Sequence, residues 1–381
     1  MTDPIDVRQI MLDFADRTGL ISSENPPVRY LWTDAFAVCN FLGLFVEHAD
    51  EEALQLARRL VDQTHHVLGR HRSDDPRRGW ISGLPEQQGE AHPTRGGLRI
   101  GKPLPEQGPG DPALEWDRDG QYFHYLTRWM HALDRVARVT GDATYHRWAC
   151  ELASTAYAGF THAAASGSKR LFWKMSIDLS RPLVSSMGLH DPLDGFLTYC
   201  QLQATSSDDA KLDLSREIRE LAELCADRSW DTDDALGIGG LLYDAHRLVQ
   251  LRSAGILNEP RLLEDLLRSS LRGLETLAAQ GMFRGSAEYR LAFRELGLSI
   301  GLHAVEQIRR LDPEPCAVRL AALLEDITRY QPLTDHIEQF WLEPANQESA
   351  SWRDHRDIND VMLATSLAPA GYLGQTSVSD Q

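Results

Sequence analysis

The stretch ELGLSIGLHA, residues 295–304, places two glycines and a serine inside an apolar pattern with helical spacing. Glycine in the middle of a helix costs about 1 kcal/mol relative to alanine unless close packing of neighbouring backbones offsets that cost. The segments NFLGLF at 40–45 and GIGGLL at 237–242 have the same character. These three segments therefore predict crowded, buried helices.

A second type of helix alternates with the first. The segments EEALQLARRLVDQ (51–63) and RLLEDLLRSSLRGLETLA (261–278) have one apolar stripe and one charged face, which is typical of helices that face water. Helical periodicity predicts twelve helices in all, near residues 5–18, 33–48, 51–68, 121–140, 144–163, 190–204, 212–227, 235–252, 260–279, 287–309, 315–328 and 358–372.

The connections between these helices are alternately short and long. The joins at 49–50 and 141–143 are short enough for antiparallel neighbours, whereas the joins at 69–120, 164–189 and 329–357 are far longer than usual loops. If the helices form hairpins around a ring, all the long loops lie on one face. The prediction is an all-α fold, an (α/α)6 toroid of six helical hairpins, formed by residues 1–381 as a single domain.

This alternation, with Trp-, Asp- and His-rich entries to the inner helices, resembles the six-hairpin glycosidase superfamily over nearly the whole chain. That superfamily includes sugar hydrolases, some lyase relatives and the N-acylglucosamine 2-epimerases. Its members bind substrate in a funnel at the N-terminal ends of the inner helices. The resemblance implies a carbohydrate-active enzyme with its site on the face that carries the long loops.

Charge and composition exclude several other classes of function. The formal net charge of −17 and the pI near 5.2 repel phosphate backbones and anionic lipid. The five cysteines, at 39, 150, 200, 225 and 316, form no CxxC pair, which favours buried reduced thiols. The start MTDPIDVRQIMLDF has no basic segment followed by an apolar one. We expect a cytoplasmic protein without cofactor or metal that binds a small carbohydrate, anionic sugars included.

Aromatic and charged side chains accumulate at the entries to the predicted inner helices. The segment EWDRDGQYFHYLTRWMHAL, residues 115–133, carries more of them than a helix cap needs. Tryptophan rings can stack on the C–H faces of a sugar, while carboxylates, Arg and His bind its hydroxyls. Each of these residues, taken alone, could also be a helix cap or a side chain that anchors a long loop to the end of the barrel. The predicted substrate contacts are Trp32, Asp34, Trp116, Tyr122, His124, Trp173, His190, Tyr289, Arg290, Trp352, Asp354 and His355.

The candidate catalytic carboxylates lie in two segments. In MGLHDPLDGFLTYCQL, residues 187–202, Asp191 and Asp194 are three apart and share one helical face. This segment is similar to the entry of an inner helix in unsaturated glucuronyl hydrolases, where an Asp near the helix start is the general acid/base. The resemblance implies that role for Asp191 or Asp194. A hydrolase usually needs a second carboxylate, and Asp117 and Asp119 are the candidates, with Asp34 also available.

The loop at 80–106, WISGLPEQQGEAHPTRGGLRIGKPLPE, allows two interpretations. Its glycines and prolines exclude regular structure. Its cations and His92 would suit a lid over the funnel that binds substrate. A structural wrap around the rim fits the same residues.

The sequence is also compatible with three other functions. An epimerase or isomerase needs paired bases, and His124, His190, His303 and His355 are available, although DHRDINDVMLATSLAPAGYL (354–373) lacks the His-x-x-Arg type of motif associated with 2-epimerases. A barrel could also bind sugar or a partner protein without catalysis. Finally, Asp231-Thr232-Asp233-Asp234 resembles the D-x-D-D form of class II terpene cyclases, which would require Asp233 to be buried at an apolar cavity rather than exposed at a helix start.

Overall fold

The computed structural model describes residues 6–21, 26–107, 116–163, 169–205, 213–226, 228–311 and 318–374, so Cys316 lies outside the described residues. The chain is mainly α-helical and divides into two compact units. The N-terminal unit comprises the described residues of Ala15–Ala226. The C-terminal unit comprises those of Met1–Phe14 and Asp227–Gln375. Helix α1 (Val7–Arg17) crosses the boundary between them.

Three helical hairpins form the N-terminal unit. They pair α2 with α3, α5 with α6 and α7 with α8, and α5 also packs against both α2 and α7. Helices α2, α5 and α7 are buried along most of their length, whereas α3 and α8 expose one face. The helices are α2 (Leu31–His48), α3 (Glu51–Leu68), α4 (Glu86–Ala91), α5 (Phe123–Thr140), α6 (Ala143–Phe160), α7 (Asp191–Thr205) and α8 (Ser215–Cys225).

The C-terminal unit is built around three neighbouring helices. Helix α11 packs against α9 and α16, while α10 pairs with α9, and α12 and α13 cover α11. The helices are α9 (Ala235–Ser253), α10 (Pro260–Gln280), α11 (Ala292–Leu311), α12 (Val318–Thr328), α13 (Pro332–Leu342), α14 (Pro344–Gln347), α15 (Ala350–Arg353), α16 (Arg356–Leu367) and α17 (Ala370–Leu373).

The glycines of α9 and α11 are explained by the packing of these two helices. A Cβ atom added at Gly239 would lie 2.0 Å from the backbone oxygen of Gly297, and one added at Gly301 would lie 2.5 Å from the Cα of Gly239. Any larger residue would therefore separate the helices. This confirms the prediction of close packing for the segments at 237–242 and 295–304.

The short hairpin turns follow from local capping. Helix α5 ends at Gly141, whose φ of 71° lies in the left-handed region that favours glycine. Helix α6 then begins because the Asp142 carboxylate accepts a hydrogen bond of 2.9 Å from the backbone N–H of Thr144. Asp50 caps α3 in the same way, with a 3.1 Å bond from the N–H of Ala53.

Short strands in the N-terminal unit connect its two long joins. Strand β1 (Gln121–Tyr122) pairs antiparallel with β4 (Lys174–Met175), which pairs with β5 (Pro182–Val184). A separate hairpin is formed by β2 (Thr161–Ala163) and β3 (Lys169–Leu171). Because Tyr122 lies opposite Lys174, the sheet holds the second join against the start of α5.

All twelve predicted helices have a counterpart, although the last, at 358–372, is divided into α16 and α17. The agreement is close at Glu51–Leu68 and Phe123–Thr140. One start was wrong, because α11 begins only at Ala292, after two 3-10 turns at Met282–Arg284 and Ala287–Tyr289. The join at 329–357 was also wrong as a loop, since it contains α13, α14 and α15. Within the described residues, no helix is long and apolar enough to cross a lipid bilayer.

The loop at 80–106 contains α4, so the prediction that it has no regular structure was wrong. Many contacts fix this loop to the rest of the N-terminal unit. His92 Nδ1 lies 2.7 Å from a carboxylate oxygen of Glu151 on α6, and the Thr94 hydroxyl donates to the Trp148 carbonyl at 2.8 Å. Arg99 donates to the Val67 carbonyl at 2.6 Å. These contacts favour the structural wrap over the lid. They also place the predicted substrate contact His92 against an outer helix.

Candidate functional site

The N-terminal ends of α2, α5 and α7 meet in the N-terminal unit. The hydroxyl of Tyr30, the residue before α2, lies 2.7 Å from the hydroxyl of Tyr125 in the first turn of α5. On the other side of α5, the His124 Nδ1 atom lies 3.9 Å from a carboxylate oxygen of Asp191 at the start of α7. Side chains from three helix entries therefore gather in one place, which we call the entry site.

The entry site has an aromatic wall centred on Tyr125. The ring of Tyr125 lies 4.6 Å from that of His124, 5.0 Å from Tyr122, 5.6 Å from Tyr30 and 6.5 Å from Trp32. All of these rings except that of His124 belong to tyrosine or tryptophan, and they come from the entries of α2 and α5. Such a surface offers apolar ring faces and edges together with polar atoms at the rims.

Tyr122 holds the plane of the His124 ring. It stacks on His124 at 6.2 Å with an interplanar angle of 13°, and on Trp173 at 5.4 Å with an angle of 11°. The pairing of β1 with β4 sets this arrangement, because it places Tyr122 beside Lys174 and the adjacent Trp173. Since Tyr122 is only 4% exposed, its ring is a poor surface for stacking a ligand.

Trp116 extends the wall to solvent. Its ring contacts Trp173 edge to face at 5.1 Å, and 59% of the residue is exposed. A tryptophan with this exposure presents a large apolar surface to solvent. Trp116 is therefore the member of the wall most accessible to a large ligand.

His124 is neutral near pH 7. Burial lowers its pKa to about 4; the Asp194 carboxylate opposes this change, while the nearby Arg128 and His190 reinforce it. The side chain nevertheless keeps 29% exposure. A neutral, accessible imidazole can accept a proton or a hydrogen bond from a ligand.

Two carboxylates of α7 face α5. Asp191 and Asp194 are 4% and 3% exposed. The Arg128 guanidinium of α5 lies 2.8 Å from one Asp194 oxygen and 3.0 Å from the other. Gly188 makes room for Asp191, because a Cβ atom there would lie 2.4 Å from its carboxylate. The structure thus brings together the predicted residues Asp191, Asp194, His124 and His190.

Asp119, a predicted catalytic residue, is instead a structural anchor. It is fully buried and accepts hydrogen bonds from the guanidinium groups of Arg72 and Arg99 and from the backbone N–H groups of Gly101, Lys102 and Gly120. With its lone pairs taken in this way, the carboxylate is not available for catalysis. Asp117, the other candidate from the same segment, has an exposed side chain.

Asp34 also has a structural role. Its carboxylate accepts from the N–H of Tyr30 at 3.1 Å and from the Thr64 hydroxyl at 3.3 Å, and Arg29 lies 3.5 Å away. It is 1% exposed. These contacts fix the start of α2, so Asp34 shapes the site through Tyr30 and Trp32 rather than through a ligand.

In the C-terminal unit, Arg290 and Trp352 are core residues rather than the predicted ligand contacts. Arg290 forms a buried ion pair with Glu295 at 2.6 Å, and its guanidinium lies 3.6 Å from the ring centre of Phe340. The Trp341 Nε1–H donates to the same Glu295 at 2.8 Å, and Trp352 packs on Trp341 at 5.5 Å. This cluster ties α13 to the start of α11.

The other predicted residues of this unit, apart from His303, are exposed. Tyr289 is 90% exposed, and the side chains of Asp354 and His355 lie in water before α16. His303 is paired with Glu338 of α13 at 2.9 Å. Asp233 is exposed at the start of α9, and its neighbour Asp234 caps that helix. The condition set for a terpene cyclase is therefore not met.

Two residues of the entry site, Tyr30 and Arg128, were not predicted from the sequence. Tyr30 occupies the residue before α2 just as Tyr122 occupies the residue before α5, and this shared aromatic position was the available signal. Arg128 follows His124 by four residues on the same face of α5. Its spacing could have indicated a role beside the predicted Asp194.

Comparisons with known proteins give a fold. No family model matches the chain, and no curated protein does. Solved structures do match it along nearly its whole length. The cellobiose 2-epimerase of Spirochaeta thermophila is 14% identical with a TM-score of 0.52, covering 94% of this chain and 97% of that one.

Two further structures are similar. The GH76 alpha-mannanase of Bacteroides thetaiotaomicron is 9% identical with a TM-score of 0.54, covering 97% of this chain and 98% of that one. A sugar epimerase from a ruminal bacterium is 10% identical with a TM-score of 0.52, covering 97% and 99%. These likenesses confirm the predicted fold, an all-α (α/α)6 toroid.

Proposed function

We propose that the chain is a carbohydrate-active enzyme, and that it is a glycoside hydrolase acting at the entry site. One observation carries the proposal. Two buried carboxylates in the first turn of α7, Asp191 and Asp194, face the imidazole of His124 and the guanidinium of Arg128 beside an aromatic wall. Buried polar groups of this kind, converging under apolar rings, are typical of sugar sites.

In this proposal Asp191 and Asp194 supply the carboxylate pair of hydrolysis. Residues three apart on a helix have Cβ atoms about 5–6 Å apart, which is compatible with the separations of about 5–10 Å used by glycosidases. Asp191 is the general acid, next to His124. Asp194, held by Arg128, is the second carboxylate. The exposed Asp117 remains the alternative partner, whereas the anchored Asp119 is withdrawn.

The aromatic wall binds the sugar. Trp116 and Trp173 stack on its C–H faces, and His124 and His190 hydrogen-bond to its hydroxyls. Trp32, which is only 7% exposed, supports the wall near Tyr125 instead. An acidic sugar would find cations at the rim, because Lys102 lies 5.5 Å from the ring centre of Tyr30. Tyr289, Asp354 and His355 are too exposed to be assigned a contact in this proposal.

A second candidate function is an epimerase. The observation that favours it is the pair of His124 and His190, which are close enough for one to influence the pKa of the other, with His124 neutral near pH 7. Two imidazoles on opposite faces of one sugar carbon could remove and return a proton. Two of the similar structures are named as epimerases and one as a mannanase.

Product analysis tests the proposal. Cellobiose, mannobiose and uronate-containing disaccharides would be incubated with the protein in water enriched in oxygen-18 or deuterium. A hydrolase releases monosaccharides that carry the heavy oxygen, whereas an epimerase leaves the mass of the sugar unchanged apart from one deuterium. The variants Asp191→Asn and Asp194→Asn should lose the activity, and Asp233→Asn, an exposed aspartate at another helix start, should keep it. Full turnover by Asp191→Asn would reject the hydrolase mechanism.

A further inference from the structure

Tyr30 and Tyr125 form a hydroxyl pair within the aromatic wall. Their oxygens are 2.7 Å apart, and their rings meet edge to face at 72°. Each tyrosine lies at the entry of a different helix, and each is half-buried. The pair is therefore fixed by two packed helices, and each of the two residues remains partly exposed.

The two hydroxyl groups together carry one proton that their mutual hydrogen bond does not use. Each hydroxyl carries a single proton and can also accept. One hydroxyl donates to the other, so the accepting hydroxyl retains a proton of its own. Among the described residues, the contact between the two oxygens is the one side-chain hydrogen bond that either tyrosine makes. The remaining proton is free to bind an oxygen atom of a ligand.

Both hydroxyls stay protonated over the physiological range. Burial raises the pKa of Tyr30 to about 12 and that of Tyr125 well above its usual value. The hydrogen bond with Tyr125 lowers the pKa of Tyr30 in part, and the nearby Asp119 carboxylate raises it. Because neither hydroxyl ionises, the spare proton is present at any pH at which the protein would work.

The spare donor lies beside the groups assigned to catalysis. The Tyr125 ring contacts that of His124 at 4.6 Å, and His124 lies 3.9 Å from Asp191. Trp32 flanks the same ring at 6.5 Å. The tyrosine pair is therefore adjacent, through the Tyr125 ring, to the imidazole that faces Asp191.

We propose that the Tyr30–Tyr125 pair binds one sugar hydroxyl by donating its spare proton, and so determines which sugar the site accepts. This inference rests on the proposed function, since it names a specificity-determining contact of the same site. A site built to donate to a hydroxyl rejects the analogue that lacks it. The pair positions the substrate and does not itself take part in bond breaking.

Binding measurements with deoxy sugars test this assignment. Methyl glucoside, methyl mannoside and the complete set of their monodeoxy derivatives would be titrated by calorimetry. For wild-type protein, removal of one particular hydroxyl should weaken binding by about 3- to 10-fold. In the double variant Tyr30→Phe/Tyr125→Phe, the parent sugar should bind as weakly as that deoxy sugar. Tyr289→Phe, which removes a fully solvated hydroxyl, should leave the wild-type pattern unchanged.

The two single variants separate the partners. The hydroxyl that contacts the sugar can still donate when its companion is lost, so one of Tyr30→Phe and Tyr125→Phe should retain more discrimination than the other. Either variant also replaces the double one if the latter does not fold. Equal discrimination in wild type and double variant would overturn the proposal and leave the pair as a brace between α2 and α5. If wild type bound no sugar at all, the proposed function itself would fail.

Discussion

The Arg128 guanidinium lies 2.8 Å from the Asp194 carboxylate, and this ion pair joins α5 to α7 at the entry site. The side chains are only 12% and 4% exposed. Removing one partner of a buried ion pair leaves the other charge without compensation, which is far more costly than removing both.

Arg128→Met should therefore lower the free energy of unfolding by about 3–5 kcal/mol. The double variant Arg128→Met/Asp194→Leu should recover much of that loss, because no lone charge remains. Urea denaturation of the two variants and wild type measures the difference. Equal stability of the single and the double variant would contradict the assignment of a buried, coupled pair.

The matched control is a solvent-exposed ion pair on the protein surface. Arg294 pairs with Asp234 at 2.5 Å, but the side chains are 46% and 36% exposed. Exposed pairs contribute at most about 1 kcal/mol. Arg294→Met should thus change the unfolding free energy far less than Arg128→Met, although both substitutions remove the same group.

Asp119 and Asp117 should respond in opposite ways to the same substitution. Asp119→Asn weakens the bonds to Arg72 and Arg99 and should cost about 3 kcal/mol, the lower range for breaking a buried charged network. It should also expose the join at 69–120 to limited proteolysis. Asp117→Asn, at an exposed position, should change stability by less than about 0.5 kcal/mol. A stable Asp119→Asn protein would restore Asp119 as a candidate catalytic residue.

The helices could be predicted because their signals are local. The apolar stripe of α3 and its Asp50 cap lie within one segment, and periodicity locates both. Helix α13 has a local signal as well, since Pro332 stands at its start. The interpretation of 329–357 as a loop gave that proline too little weight.

The partners of the site residues could not be predicted, since they depend on contacts between distant segments. Asp119 and Asp194 are both aspartates at helix entries, but Arg99 anchors the first from a loop and Arg128 holds the second from a helix. Arg290 was predicted to contact a ligand, but in the structure it is paired with Glu295, which also accepts a hydrogen bond from Trp341. The type of a residue and its position at a helix entry do not determine which charged side chains contact it.

Acid should destabilise the N-terminal unit through His65. Burial, followed by the nearby His66, lowers the pKa of His65 to about 3, and its Nε2 accepts from the Trp129 Nε1–H at 3.1 Å. Between its usual pKa of 6.5 and the folded value of about 3, the unfolded chain binds a proton that the folded chain does not. Stability should thus fall as pH decreases through this window, by up to about 1.4 kcal/mol per pH unit from this group.

His65→Gln checks the sign and the source of this effect. The glutamine oxygen can still accept from Trp129, but it does not titrate. Unfolding free energies at pH 7, 5 and 4 should fall less steeply in this variant than in wild type. His48→Gln, which changes a histidine with 61% side-chain exposure, should leave the slope as it is. An unchanged slope in His65→Gln would show that other groups cause the acid sensitivity.

Trp116 should control the binding of longer sugars. It stands at the solvent end of the aromatic wall, 5.1 Å from Trp173, and Trp173 in turn stacks on Tyr122. Because Trp116 has no ring contact with His124 in the described structure, a monosaccharide bound at His124 would not need it, whereas a chain of several sugars would extend over it.

Trp116→Ala should raise KM for an oligosaccharide by about 2- to 10-fold, the contribution of one aromatic contact. It should leave kcat and the KM for a monosaccharide glycoside unchanged, and Trp116→Phe should fall between. Since 59% of Trp116 is exposed, the substitution should hardly affect thermal stability. An equal loss for short and long sugars would instead mean that Trp116 acts by shaping the entry site.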